Sequence, residues 1–291
     1  MNRKLLSLSL VPFLAFAAGC GGTAAGSDGD TVRIGVVGAS DPYWSTYTDA
    51  AEAAGIDVEI VDFAEYTQPN PALTEGELDL NQFQHLVYLA RYNVSSGEEL
   101  VPVGSTAIYP LGLYSTQYGS VEDIPEGATV AVPNDESNLA RGLLVLQSAG
   151  LVQLVDGGSP FATLEDIDEG KSRVKVTTLE ASLTPTSLPD VAAAIINNDF
   201  VQDAGLDAED AIAQDDPSDP RAIPYVNVFA ARAGDEDNET YRRLVEIYQD
   251  TPAVHDGVQK ASGNTAQLLK VPAGDLAASL KDVEADIRAL D

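Results

Sequence analysis

Residues 31–63, TVRIGVVGASDPYWSTYTDAAEAAGIDVEIVDF, hold two strand patterns on either side of one helical pattern. The first run, Thr31–Val37, is apolar and β-branched, and the second, Ile56–Phe63, alternates at period two. Between them, Asp41-Pro42 marks a helix start and Gly55 marks its end. Two strands joined by a helix of this length favour a parallel pair with a right-handed crossover. This stretch therefore predicts a β-α-β unit and an α/β fold.

Strand and helix patterns alternate through the rest of the chain. We predict strands at 78–83, 128–132, 174–179, 191–196 and 225–232, and helices at 70–75, 84–93, 137–149 and 273–290. The extended stretch 100–115 is interrupted by Pro110 and Gly112, which suits a crossing between lobes. Two α/β halves with one late return strand indicate two lobes that the chain threads twice. A cleft between lobes is the usual place for a small ligand.

The charge balance of the 291-residue chain narrows the choice of partners. There are 46 acidic and 16 basic side chains, so the formal net charge is −30. This charge argues against a nucleic-acid partner, because phosphate binding needs clustered Lys or Arg. We interpret the acidic excess as a solvated surface suited to salt or to an acidic proteome. The 44% hydrophobic content is enough to build a buried core.

The N-terminus has the pattern of a processing signal followed by a lipid-attachment site. Arg3 and Lys4 precede the apolar run Leu5–Ala18, which is shorter than the roughly 20 residues that span a membrane. The sequence Ala17-Ala18-Gly19-Cys20 resembles the lipobox of bacterial lipoproteins. We therefore predict a signal peptide at 1–19, lipid on Cys20, a flexible tether over 20–30 and an extracytoplasmic protein anchored to the cell membrane. The alternative is an ordinary secretory signal that contains a cysteine.

Cys20 is the only cysteine of the chain. An intrachain disulfide and a structural thiol-metal site are therefore excluded.

Four segments, taken together and in order, resemble the NlpA-type lipoproteins, the methionine-binding members of the periplasmic binding-protein type 2 fold. They are EYTQPNPALTEGELDLNQFQHLVYL (65–89), PNDESNLARGLLVLQSAGL (133–151), AAIINNDFVQDAGL (193–206) and PYVNVFAAR (224–232). The resemblance covers essentially the whole chain after the signal peptide. This chain has Val87 where the family usually has proline, and residues 180–188 also differ from the common pattern.

The resemblance implies two lobes, each a mixed sheet flanked by helices, joined by two crossover strands. With the strand pattern above, lobe 1 is predicted at 31–113 and 225–291, and lobe 2 at 114–224. The family also implies a receptor, not an enzyme, that closes on methionine without a cofactor. Its expected partners are an ABC permease with its ATPase, and the membrane through the N-terminal lipid.

A free amino acid carries a carboxylate, an ammonium group and a side chain, so its receptor must supply a cation, acceptors and an apolar pocket. We predict that Arg141 binds the carboxylate, because guanidinium can form a bidentate pair near a helix start. Its place in the second resembling segment favours this role over that of a surface arginine. Asn138, Asn197 and Asn227 can hold both ends of the zwitterion, although Asn138 could instead serve a helix cap.

Tyr66, Phe83, His85 and Tyr88 are predicted to surround the ligand side chain, since aromatic rings suit a polarizable thioether. By pattern alone, Phe83 and Tyr88 fit equally well as ordinary core, and His85 as the first residue of a helix. No second histidine lies near His85 in the sequence, so no metal site is predicted there.

Three other functions stay open at this point. An enzyme on the same fold lacks support, because the chain has no G-x-S-x-G, H-E-x-x-H or P-loop motif, although paired carboxylates could still form an acid-base site. A surface lipoprotein that contacts other proteins would need no small-molecule site. A receptor of the same fold could bind another apolar amino acid or a methionine-containing dipeptide.

Overall fold

The computed structural model describes residues 31–290. The predicted signal peptide at 1–19, the lipid predicted on Cys20 and the tether predicted over 20–30 lie outside the described residues. Within 31–290, the chain forms two five-stranded sheets and one two-stranded ribbon, with helices packed against the sheets. The predicted α/β class with two mixed sheets is confirmed.

Twelve strands run through residues 31–290. They are β1 (Val32–Val37), β2 (Val58–Phe63), β3 (Leu80–His85), β4 (Leu100–Ser105), β5 (Ala107–Ile108), β6 (Gly112–Tyr114), β7 (Thr129–Pro133), β8 (Lys175–Leu179), β9 (Ala193–Ile196), β10 (Ala213–Gln214), β11 (Asn227–Arg232) and β12 (Gln267–Leu268).

Eight α-helices lie in the same range. They are α1 (Pro42–Ala53), α2 (Pro69–Thr74), α3 (Leu86–Ser96), α4 (Glu136–Ser148), α5 (Asn198–Val201), α6 (Glu239–Asp250), α7 (Pro252–Ala261) and α8 (Ala273–Arg288). Short 3-10 helices fill several connections, including Pro220–Tyr225 before β11. No helix within 31–290 is both long and apolar enough to cross a membrane.

The first sheet has the strand order β2-β1-β3-β11-β4. β1 pairs in parallel with β2 and β3, whereas β11 runs antiparallel to β3 and β4. The register of β1 and β2 runs from Val32 opposite Val58 to Val37 opposite Phe63, with α1 between the two strands. The β-α-β unit predicted at 31–63 is therefore confirmed.

The second sheet has the order β10-β6-β9-β7-β8. β7 is parallel to β8 and β9, whereas β6 is antiparallel to β9 and β10. β5 and β12 form the separate antiparallel ribbon. Each large sheet thus combines parallel strands with antiparallel ones.

The first sheet is covered by an apolar layer on each face. Consecutive residues of β11 enter different layers. Phe229 packs with Tyr47 and Tyr248, whereas Val228 packs with leucines of α3. The Tyr47 and Tyr248 rings lie edge to face with centroids 5.7 Å apart. Burying one such side chain stabilises the fold by about 1.5–3 kcal/mol. Burial on both faces explains why β1 reads as a nearly continuous apolar run.

A separate apolar cluster joins the two sheets. It combines Val37, Tyr66 and Phe83 from the first sheet's side with Ala131 and Ile196 from the second. Tyr66 and Phe83 of this cluster also line the cavity described below. These two residues therefore serve both the packing between the sheets and the cavity wall.

The chain passes between the sheets twice. It leaves β4 and enters the second sheet at β6 (Gly112–Tyr114), then returns through the 3-10 helix Pro220–Tyr225 into β11. The predicted lobe boundary at 113 falls inside β6, and the one at 224 falls inside this 3-10 helix. The lobe limits themselves stay a prediction.

Gln84 and His85 lie in a different element from the predicted one. The pattern places a helix over 84–93, but both residues complete β3, and α3 begins at Leu86. The His85 backbone is extended, and its Nδ1 accepts the Tyr88 N–H at 3.1 Å. His85 therefore caps α3. The strand β3 runs two residues farther than the apolar pattern indicates.

Gly104 allows α6 to approach β4 closely. A Cβ at this position would lie 2.3 Å from Cγ1 of Val245. We expect Gly104→Ala to lower the free energy of unfolding by about 1–3 kcal/mol, because overpacking forces side chains or backbone to shift. Urea denaturation measures this change.

Gly274→Ala is the control, since a Cβ there meets nothing within 4 Å. It lies in α8, so we expect stability to stay the same or to rise by up to about 1 kcal/mol. Adding Val245→Ala to Gly104→Ala should give less destabilisation than the sum of the two single changes. Strict additivity would contradict the steric explanation.

Candidate functional site

A cavity lies between the two sheets, next to the carboxyl end of β3 and the start of β11. Its empty volume, which includes the part open to solvent, is ≈ 440 Å³. All eight residues predicted to bind ligand line it: Tyr66, Phe83, His85, Tyr88, Asn138, Arg141, Asn197 and Asn227. The other lining residues are Gln84, Tyr109, Pro110, Leu111, Asn198 and Asp199.

Aromatic rings form one wall of the cavity. Tyr66 follows β2, Phe83 lies on β3 and Tyr88 lies in the first turn of α3. The centroid of Phe83 is 5.8 Å from that of Tyr66 and 5.7 Å from that of Tyr88, the latter pair in a T-shaped arrangement. Such pairs stabilise each other and hold their rings in place. The wall is apolar and rigid, as a pocket for an uncharged side chain requires.

His85 contributes a neutral imidazole. Burial, and secondly the positive charge of Arg141, lower the pKa of His85 to about 3. Since Nδ1 accepts the Tyr88 N–H, the proton of the neutral ring is on Nε2, which faces Oδ1 of Asn138 at 3.5 Å. The histidine thus offers the cavity a hydrogen-bond donor without a charge.

Two asparagines form a polar chain opposite the aromatic wall. The Nδ2 of Asn138 donates to both carboxylate oxygens of Asp135 at 3.1 Å, and its Oδ1 accepts Nδ2 of Asn197 at 3.0 Å. Asp135, not Asn138, caps α4. The Oδ1 of Asn197 is buried and has no hydrogen-bond partner within residues 31–290. A buried acceptor without a partner is costly, so this oxygen is suited to a ligand donor.

Arg141 lies in the second turn of α4 and is only 5% exposed. Its Nε and Nη2 donate to the two oxygens of Asp215 at 2.6 and 3.2 Å, and Nη2 also donates to the Tyr109 carbonyl at 2.8 Å. The guanidinium carbon lies 4.5 Å from the ring centroid of Tyr225. None of the hydrogen bonds of Arg141 to other residues within 31–290 uses Nη1. The bidentate edge expected for the ligand is therefore occupied by Asp215.

Asn227 begins β11 and lies opposite His85 in the strand register. Its carbonyl accepts the Thr106 N–H at 2.8 Å, which ties the return strand to the crossover segment. The side chain is half-buried on the cavity, next to the end of β3. The return strand thus brings a polar group from the last third of the chain to the aromatic wall.

Asp199 and Asp215 are site residues that the pattern analysis missed. The Tyr66 hydroxyl donates to Oδ2 of Asp199 at 2.7 Å. This contact joins the segment after β2 of the first sheet to α5, which follows β9 of the second sheet. Burial raises the pKa of Asp199 to about 7, although the Tyr66 hydrogen bond opposes this shift. Asp199 lies two residues after Asn197 in a segment already singled out, so its place in that segment could have identified it. For Asp215, no such signal exists among 46 acidic residues.

Within residues 31–290, no group of three or more His, Cys, Asp or Glu side chains is arranged to hold a metal ion. The cavity instead combines neutral donors and acceptors, one compensated arginine, the carboxyl group of Asp199 and an aromatic wall. This arrangement can hold a small zwitterion with an apolar side chain.

Asp199 gives a pH-dependent prediction. Its pKa lies near 7 in the folded chain, above the ordinary 3.8, so the folded state binds this proton more tightly than the unfolded state. Stability from this group is therefore present below about pH 4 and is lost as pH rises to about 7. Relative to Asp199→Asn, the wild-type free energy of unfolding should fall across this window.

Denaturation curves at several pH values measure the difference. Asp237→Asn, which removes an equal charge from a side chain that is 83% exposed, serves as the control. Identical pH profiles for the two variants would refute the role given to burial.

The model of the NlpA lipoprotein family matches residues 32–272. The D-methionine-binding lipoprotein MetQ of Yersinia pestis is 38% identical over 269 residues, covering 90% of this chain and 97% of the relative. Protein PG110 from Staphylococcus aureus superposes with a TM-score of 0.82 at 32% identity, covering 87% of this chain and 100% of that one.

A nutrient-binding protein from Burkholderia cenocepacia, solved bound to methionine, has a TM-score of 0.75 at 37% identity. The match covers 82% of this chain and 99% of that one. The family model spans most of the described residues, and the relatives are matched over nearly their whole length. The resemblance seen in the four sequence segments is confirmed, and the chain belongs to the NlpA lipoprotein family.

Proposed function

We propose that this protein is an extracytoplasmic solute-binding lipoprotein that captures methionine and delivers it to an ABC importer. The observation that carries the proposal is one cavity lined by tyrosine and phenylalanine residues, a neutral histidine, a buried arginine and four asparagines. A relative named for D-methionine and a similar structure bound to methionine support the choice of ligand. The protein returns its ligand unchanged and catalyses no reaction.

Each part of methionine has a counterpart in the cavity. The carboxylate lies against Nη1 of Arg141, the guanidinium nitrogen that its hydrogen bonds to other residues within 31–290 do not use. The ammonium group donates to the unpaired Oδ1 of Asn197 and to the side chain of Asn227. The thioether packs among Tyr66, Phe83 and Tyr88, where sulfur-aromatic contacts are worth about 0.3–1.5 kcal/mol each. Asn138 and His85 hold these groups in place through their mutual contacts.

We infer that the lobes, 31–113 with 225–291 and 114–224, close on the ligand. Three contacts join the two predicted lobes: Arg91 to Glu136 at 2.7 Å, Tyr66 to Asp199 at 2.7 Å, and Gln202 to the Ala261 carbonyl at 3.3 Å. A ligand that touches both lobes favours the state in which these contacts form. The permease, with its ATPase, recognises that closed state.

The anchor follows from the N-terminal segment. Cleavage after Gly19 leaves Cys20 as the first residue, which carries lipid and holds the protein at the outer side of the cell membrane. The segment 20–30 serves as the tether between lipid and folded body. Methionine is thus captured beside the permease that imports it.

Titration calorimetry with L- and D-methionine tests the ligand. We expect saturable binding that Arg141→Ala weakens by about 10- to 150-fold, since hydrogen bonds to charged groups contribute about 1.5–3 kcal/mol. Asn227→Ala, which removes no charge, should also weaken binding. Leucine, glutamine and glycyl-methionine are the comparison ligands.

Arg221→Ala is the matched control, because this arginine is 90% exposed and pairs with nearby Asp219. Its affinity for methionine should equal that of the wild type. Absence of heat with either methionine enantiomer, from folded protein stripped of bound ligand, would contradict the proposal. Tighter binding of another of these ligands would reassign the cavity to it.

Detergent phase separation tests the anchor. We expect the wild-type protein to enter the detergent phase and Cys20→Ser to stay in the aqueous phase, because acyl chains drive membrane partitioning by about 0.8 kcal/mol per buried CH₂. Ser27→Ala, in the same segment, should behave as the wild type. Aqueous partitioning of the wild-type protein would argue for an ordinary secretory signal.

A further inference from the structure

Asp215 lies directly behind the cavity and controls the only cation in its lining. Both of its oxygens accept from Arg141, and Oδ1 also accepts the Leu111 N–H at 2.8 Å. Leu111 belongs to the crossover segment between the sheets, and so does Tyr109, whose carbonyl takes the second hydrogen of Arg141 Nη2. Asp215 therefore fixes the guanidinium against the crossover and leaves Nη1 for the ligand.

The same contacts decide the charge that a ligand meets. Arg141 is the one cationic side chain among the cavity-lining residues, since the imidazole of His85 is neutral. With a carboxylate 2.6 Å from its Nε, the arginine presents little uncompensated charge to the cavity. The site is buried, so this compensation is felt more strongly than in water.

A compensated site does not favour every carboxylate equally. A zwitterion brings its own ammonium group, which stays next to its carboxylate and finds acceptors in the asparagines. An anion of the same shape without the ammonium group would add one unbalanced negative charge beside Asp215 and Asp199. Burying an unpaired charge is strongly unfavourable.

We propose that Asp215 is a specificity-determining residue, which orients Arg141 and cancels its charge so that the site selects amino-acid zwitterions over carboxylates that lack the α-ammonium group. The inference rests on the proposed function, since it takes methionine as the ligand. It adds a residue that does not line the cavity and acts through Arg141.

The test compares two ligands, L-methionine and 4-(methylthio)butanoate, the same molecule without the amino group. Affinities are measured by calorimetry on the wild type and on Asp215→Asn. In the wild type, the dissociation constant of methionine should be at least about 100-fold lower than that of 4-(methylthio)butanoate. In Asp215→Asn, the ratio of the two dissociation constants should fall by about tenfold or more, chiefly because the uncompensated arginine binds the anion more tightly.

Asp219→Asn is the control, because it removes the same charge four residues away, from a carboxylate that pairs with exposed Arg221. It should keep the wild-type ratio. Asp215→Glu, which retains the charge, should restore most of the discrimination, and Asp215→Ser replaces the asparagine variant if that variant does not fold.

A ratio that is unchanged in a folded Asp215→Asn protein, with both ligands weakened alike, would reduce Asp215 to a structural support and overturn the proposal. Equal affinity of the wild type for the two ligands would overturn it without any variant. Failure of the wild type to bind methionine at all would overturn the proposed function as well, so the two failures are distinguishable.

Discussion

Insertion of β11 between β3 and β4 is the constraint on which the architecture depends. Without this strand, the first sheet would end at β3, and β4 would have no partner within it. The register of β11 sets Asn227 opposite His85, and the Asn227 carbonyl accepts from Thr106 in the crossover. The same ladder that completes the sheet therefore fixes one side of the cavity. Because the chain must return to make this ladder, it crosses between the sheets twice.

The cavity buries many polar groups but leaves little net charge. The imidazole is neutral, Asn138 pairs with Asn197 and Asp135, and the arginine is matched by a carboxylate. Such networks are rigid when every member has a partner, so an atom that stays unpaired is suited to contact a ligand. Nη1 of Arg141 and Oδ1 of Asn197 are two such atoms. They have opposite hydrogen-bonding character, as the carboxylate and ammonium group of an amino acid also do.

The first β-α-β unit could be read from the sequence because buried β1 is an apolar run, β2 at the sheet edge alternates at period two, and helix signals lie between them. Arg141 and Asn227 were found through the segments that resemble the family. The end of β3 was missed because Gln84 and His85 are polar yet buried, and their burial depends on partners far along the chain. Asp215 could not be identified from the sequence, because its partner Arg141 lies 74 residues earlier in the chain. Their contact also depends on the two-residue strand β10, which no local pattern predicts.

The order of strands also governs when each sheet can form as the chain is made from its N-terminus. All strands of the second sheet lie between Gly112 and Gln214, so it can complete while the remainder is still being synthesised. The first sheet begins at Val32 but waits for Asn227–Arg232. Until then, the edges of β3 and β4 are unpaired and open to wrong partners. The earliest strands to emerge thus belong to the later of the two five-stranded sheets to be completed.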